Sequence, residues 1–253
     1  MIRVLVDSAA DYLKSELEER QIELVPLTIT VNDETSYQDE LELPREELFR
    51  MMVEEDKRIK TSQPSPQDMV EKFQSVKDAG DEMICIMLSS TLSGTYQSAL
   101  LAKEIVDYDK IYIIDSLSAT AGIQILANHA KDLIAQGEAA EAIVEKLEAL
   151  KGRLKIVAVV DTLKYLYLGG RVSKATAVVA DTVNIKPSIV VTREGAVGVG
   201  SKYLGVGRAV KDLAKQMKST KIDRNFPLYL VYSYNDANVQ KLGKALEEAG
   251  IHS

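Results

Sequence analysis

The sequence predicts an α/β protein of two α/β domains: an N-terminal one with a mainly parallel sheet and flanking helices, and a C-terminal one with a mixed sheet and helices. Three observations carry this expectation. Short apolar runs with strand character alternate with segments of helical spacing as far as Leu150, the pattern of a parallel sheet covered by helices. The strand-like runs end in polar residues, at Asp7-Ser8, Ser89-Ser90 and Asp115-Ser116. After Gly152 the helical spacing gives way to β-rich stretches.

In order, Ile2 to Val6 is expected as a first buried strand and Ala9 to Arg20 as a helix. Ile22 to Val31 is rich in β-formers and reads as one strand, followed by a polar loop from Asn32 to Glu42. Leu43-Pro44-Arg45-Glu46-Glu47 opens a helix to about Glu55, with proline and acids suited to its first turn. Thr61-Ser62-Gln63-Pro64-Ser65 reads as a hydroxyl-rich loop, and Pro66 to Lys77 as a helix with Met69, Val70, Phe73 and Val76 on one face. Met83 to Leu88 is a fully apolar strand, Ser89 to Thr95 a second hydroxyl-rich loop, and a helix runs from Thr95 to Val106. A strand at Lys110 to Asp115 and helices at Ala119 to Gln136 and Ala139 to Leu150 complete this part.

A domain boundary is expected near Lys151-Gly152-Arg153, giving domains 1–152 and 153–253. Beyond it, Leu154 to Val160 is a strand and Asp161 to Leu168 a short helix ended by Gly169-Gly170. Ile185 to Thr192 and Val197 to Leu204 form a hairpin about Arg193-Glu194-Gly195. Val206 to Met217 is a helix and Leu228 to Tyr234 a further strand. The apolar stretch with Val178, Val179 and Ala180 fits a core helix or an interface equally well.

The 253 residues are 46% hydrophobic and 27% charged, an ordinary globular composition able to bury a core. A net charge of −7 argues against a general nucleic-acid or anionic-membrane surface. The first residues are too short an apolar stretch for a signal peptide, and no run reaches the ~18 apolar residues of a membrane helix. A cytoplasmic location is expected. Cys85, the sole cysteine, lies in an apolar run and reads as a buried structural thiol.

The enzyme signatures are missing. Only His129, inside a helix, and His252, the penultimate residue, could act as histidine bases, neither in a nucleophile arrangement with a neighbouring serine, and Gly-x-Ser-x-Gly does not occur. There is no metal-ligand spacing, Walker-type phosphate loop or dinucleotide glycine pattern. No catalytic residue, metal or cofactor is therefore expected.

What remains are the two hydroxyl-rich loops, each preceding a helix. A helix start presents free amides and a positive dipole end, a natural place for a carboxylate or phosphate, and Gly94 allows close backbone approach. The competing reading is N-capping, in which the hydroxyls satisfy the helix's own amides. Arg171, after Gly169-Gly170, could meet the anion or pair with an acid.

These residues resemble the DegV family of fatty-acid-binding proteins. The matching pieces run in family order: Val6-Asp7-Ser8-Ala9-Ala10-Asp11, Val25-Pro26-Leu27, Tyr37-Gln38-Asp39, Thr61 to Ser65, Leu88 to Ala99 and Ile114-Asp115-Ser116. Leu163-Lys164-Tyr165-Leu166, Gly169-Gly170-Arg171-Val172-Ser173 and Asn184-Ile185-Lys186-Pro187 complete the set. The resemblance implies a ligand cleft between two domains that holds one long-chain fatty acid, its carboxylate on Thr61 and Ser93 with Arg171 near that end. Ser62, Gly94, Thr95 and Ser116 join them as ligand-binding candidates. It further implies a lipid carrier without catalytic machinery, the component of a bacterial fatty-acid kinase that presents the carboxylate to a separate ATP-binding kinase subunit. The family pattern continues into a His- and Gly-rich segment where this chain has Gly250-Ile251-His252-Ser253, so the expectation is either a second domain truncated at its end or a member lacking one wall of the head-group site. Gly205-Val206-Gly207-Arg208 also lacks the basic cluster usual there, which bears on handover to the kinase. The alternatives are a serine-dependent hydrolase or phosphotransferase using Ser93, and a non-lipid regulatory α/β protein.

Overall fold

A computed structural model of the chain describes residues 1–174 and 184–251. The stretch with Val178, Val179 and Ala180 lies outside the described residues, as does His252. The chain divides into two compact units, Met1–Lys155 with Arg193–Ala196, and Ile156–Thr192 with Val197–Ser253.

The first unit is organised by a four-stranded, wholly parallel sheet of β1 (Ile2–Asp7), β2 (Ile22–Val25), β6 (Glu82–Met87) and β7 (Ile111–Asp115), in the order β2-β1-β6-β7. Val4 of β1 stands between Ile22 of β2 and Ile84 of β6, and Ile84 faces Tyr112 of β7. A small antiparallel sheet, β4-β3-β5, is inserted between β2 and β6 in sequence: β3 (Thr28–Val31), β4 (Thr35–Gln38) and β5 (Ile59–Ser62).

Residue alternation along the central strand explains both faces of the parallel sheet. Met83, Cys85 and Met87 of β6 point one way, into a core with Leu5, Met69, Phe73, Val76, Ala99 and Ala102. The last five belong to α3 (Pro66–Ala79) and α4 (Thr95–Val106). Ile84 and Ile86, equally buried, point to the face covered by α5 (Ala121–Ala135) and α6 (Ala140–Lys151). With both faces covered, β6 needs an unbroken apolar sequence, which Met83 to Leu88 supplies. Cys85 lies fully buried in the first of these cores, and burial raises its thiol pKa.

The remaining helices of this unit are α1 (Lys14–Arg20) and α2 (Arg45–Val53), the latter closing a small core of Ile29, Val31 and Leu43. In the second unit β8 (Val157–Val159), β9 (Ile185–Val191) and β10 (Val197–Leu204) form an antiparallel sheet. A short α7 (Lys164–Leu168) precedes β9, α8 (Val206–Ser219) packs on β9 and β10, and α9 (Ala237–Glu248) packs on α8. No described helix is long and apolar enough to cross a membrane.

Several local expectations need correction. The helix expected from Ala9 begins only at Lys14, because Asp11 takes a left-handed conformation (φ 58°) that ends a 3₁₀ turn over Ser8–Ala10. Ile22 to Val31 is two strands in two different sheets, divided at Pro26, which has no N–H to give to a ladder. The polar loop contains β4, and Thr61 and Ser62 end β5 rather than lying in a loop. Among the described residues Leu228 to Tyr234, expected as a strand, joins no ladder, and β8, β9 and β10 pair antiparallel. The helix Ala237–Glu248 was not anticipated.

Phe73 is wholly buried at the centre of the α3–α4 core, so Phe73→Ala is expected to lower stability by about 3–5 kcal/mol. Urea denaturation of the two proteins measures it.

Candidate functional site

Strand order fixes where a site can form. β1 is followed in sequence by β2 on one side and, after the inserted sheet, by β6 on the other. The chain therefore leaves the carboxyl ends of β1 and β6 in opposite directions, and the crevice between such ends is where open α/β sheets bind ligands. Asp7-Ser8 and Leu88 to Gly94 stand at those two ends.

The Asp7 side chain ties them together. It is fully buried, its Oδ2 accepting from the Leu88 amide at 2.6 Å and its Oδ1 from the Ala9 amide at 3.0 Å. Desolvation pushes its pKa up to about 7, against the pull of those two hydrogen bonds, with Asp11 and Asp39 adding like-charge repulsion. Ser8, also buried, accepts from the Leu27 amide at 3.0 Å and donates to Asp39 at 2.7 Å. That hydroxyl links the end of β1 to the turn into the antiparallel sheet.

Further anchors hold the serine-rich turn. The Ser89 amide donates to the Ser118 carbonyl (3.0 Å), and Ser90 donates to Asp115 through its amide (3.1 Å) and its hydroxyl (2.5 Å). The Leu92 and Ser93 amides both donate to the Ser89 carbonyl, so the turn closes on itself before α4 begins. Ser93 and Thr95 share a hydroxyl–hydroxyl bond at 2.8 Å, and the Thr95 amide reaches Ser93 Oγ at 3.3 Å. Ser93 is half-buried and Thr95 fully buried.

The two hydroxyl-rich segments differ in how they serve their helices. At α3 the capping reading holds: Ser65 Oγ accepts from the Asp68 amide, while the Asp68 side chain accepts from the Ser65 amide. At α4 the N-cap is Gly94, with no side-chain cap. The Thr95 amide is met by Ser93 Oγ, so the remaining first-turn amides, of Tyr96 and Gln97, are the ones an external anion would meet.

The structure brings the segments together through a residue the sequence reading did not single out. Gln63 lies across Gly94, where an added Cβ would fall 1.8 Å from Gln63 Oε1, and Gln63 Nε2 donates to Ser98 of α4 at 3.0 Å. The usable signal was a long amide inside the Thr-Ser-Gln-Pro-Ser segment opposite a residue without a side chain.

The other expected site residues have different settings. Thr61 and Ser62 are exposed on β5, Thr61 paired with Ile29. Ser116 is wholly buried and its hydroxyl is engaged with Ser118, donating to its carbonyl and accepting from its amide, both at 3.1 Å. It shapes the turn after β7, where Leu117 (φ 48°) and Thr120 (φ 49°) take strained positive-φ conformations. Arg171 belongs to the second unit, where its guanidinium donates to the Gly169 carbonyl. Among the described residues no cluster of His, Cys, Asp and Glu is arranged to hold a metal ion.

Two outcomes follow from this geometry. Gly94→Ala must displace Gln63, with loss of its bond to Ser98 and about 1 kcal/mol of stability, read from urea denaturation. Asp7 ordinarily titrates near 3.8, so its value of about 7 means the folded chain holds a proton that the unfolded chain has released. This contribution is full below the lower value and is lost as pH rises through the upper one. The melting temperature is expected to fall between pH 5 and 8 more steeply in the parent than in Asp7→Asn.

The sequence profile described as an uncharacterised protein of the DegV family matches residues 1–252. A DegV domain-containing protein of Caldanaerobacter subterraneus subsp. tengcongensis is 34% identical over 222 residues, 88% of this chain and 78% of the relative. One from Staphylococcus aureus is 35% identical over 184 residues, 73% of this chain and 65% of its own length. A stearic acid-binding protein from Eubacterium ventriosum superposes with a TM-score of 0.86 at 27% identity, over 98% of this chain and 87% of the other. The fatty-acid-binding DegV family protein from Thermus thermophilus gives 0.86 at 26% identity, over 99% and 89%. The chain belongs to the DegV family.

Proposed function

We propose that this protein binds a long-chain fatty acid, with its carboxylate at the start of α4. The observation that carries the reading is the start of α4 at Gly94, with the Ser93 and Thr95 hydroxyls beside it, at the reversal of strand order. Support comes from relatives described as binding stearic acid and other fatty acids. Thr61 and Ser93 are the proposed carboxylate donors, with Ser62, Gly94 and Thr95 around them.

The chemistry suits that ligand. Each buried CH₂ of an acyl chain contributes about 0.8 kcal/mol, so a long tail in a dry channel supplies most of the affinity. The carboxylate is costly to desolvate unless hydrogen-bonded, and hydroxyls and helix-start amides can donate to it without a metal. The same groups would donate equally well to an acyl phosphate. The finer proposal is that the protein presents the carboxylate to a separate ATP-binding kinase subunit, as the family resemblance implies. The bond-making step then belongs to that subunit and this chain acts as a carrier.

Native mass spectrometry of the purified protein is expected to show a co-purifying fatty-acid mass; its absence after purification from lipid-replete cells would sink the reading. Ser93→Ala is expected to weaken retention roughly tenfold, the value of one hydrogen bond to a charged group. Incubation with ATP and the candidate kinase tests the carrier role, with acyl phosphate on this chain as the expected product.

A further inference from the structure

Asp7 is a costly residue to place where it stands. A carboxylate with no solvent exposure must be ionised to accept on both oxygens at full strength, yet burial disfavours the ionised form. The two donors it satisfies are backbone amides, Leu88 at 2.6 Å and Ala9 at 3.0 Å. An asparagine of the same shape would present an NH₂ to one of them. The Leu88 amide sits at the root of the turn that carries Ser93, one residue before Ser89, whose carbonyl receives the Leu92 and Ser93 amides.

We infer that Asp7 is a positioning residue: its ionised carboxylate holds the end of β1 to the root of the Ser89–Ser93 turn, ordering the proposed carboxylate site at the expense of fold stability. This rests on the fatty-acid reading for its functional consequence, though not for its structural one. The charged groups acting on Asp7 are consistent with a strained ion kept for its hydrogen bonds. Asp11, after β1, and Asp39, after β4, both repel it. Arg45 of α2 acts on Asp11 and Asp39 and pairs with Glu40.

An ordinary structural carboxylate and a positioning one differ in the sign of two readouts. For a structural role, Asp7→Asn lowers stability and ligand binding together. For a positioning role, Asp7→Asn keeps or raises the melting temperature at pH 8, while hydrogen exchange of the Leu88 to Gly94 amides accelerates about tenfold and stearate affinity falls by a similar factor. Exchange is measured on delipidated full-length protein, so it reads the inference without a ligand; stearate titration of the same samples reads the consequence. Accelerated exchange with a maintained melting temperature supports the inference even where the parent fails to bind stearate, a result that would instead overturn the proposed function. Unchanged exchange, or exchange and melting temperature worsening together, overturns the inference. Should Asp7→Asn not fold, the parent carries its own test between pH 6 and 8. Protection of the turn, corrected for intrinsic exchange, must rise as the melting temperature falls; protection that falls with it defeats the inference.

Discussion

The parallel pairing of β1 with β6 is the constraint on which the rest of the first unit depends. It places β6 on the side of β1 away from β2 and makes the chain leave the two strand ends in opposite directions. Helices then cover both faces of β6, which explains the apolar run Met83 to Met87 that follows Glu82. The crevice at the strand ends is a consequence of that order before any side chain is considered. The side chains then decide what it can hold: Asp7 and Ser8 secure its edges, and Ser93, Thr95 and the α4 amides give it donors.

Polar groups at this end of the sheet do two separate jobs. Some are spent on architecture: Ser116 on Ser118, Ser90 on Asp115, and Ser65 on the first turn of α3. Others stand beside the start of α4. The distinction is one of hydrogen-bond accounting, since a hydroxyl whose donor and acceptor are both satisfied internally has less to offer a ligand. Strained backbone at Leu117 and Thr120 accompanies the architectural set and is held by the bond from the Thr120 amide to the Ala9 carbonyl.

Much of this was legible in the sequence, and the rest was hidden for identifiable reasons. β6 and α4 were readable because an apolar run and a helical repeat are strong local signals, and α4 begins and ends where the spacing places it. The break at Pro26 was missed because β-forming residues flank it on both sides, and only tertiary pairing sends them to different sheets. β4 was hidden in a polar stretch, where pairing with β3 overrides weak propensity. Within the site, the hydroxyl-bearing segments stood out by composition. The acceptor role of Asp7 and the reach of Gln63 to Ser98 could not, because each joins residues far apart in sequence.

The buried thiol has a practical corollary. Cys85 sits at the centre of β6 with no solvent access, and its raised pKa keeps it protonated, so alkylating reagents should pass over it while the fold holds. Any cysteine introduced on the surface would then be the one reactive handle on the molecule. The protein comes ready for single-site attachment of a fluorophore or spin label, without first removing a native residue from its core.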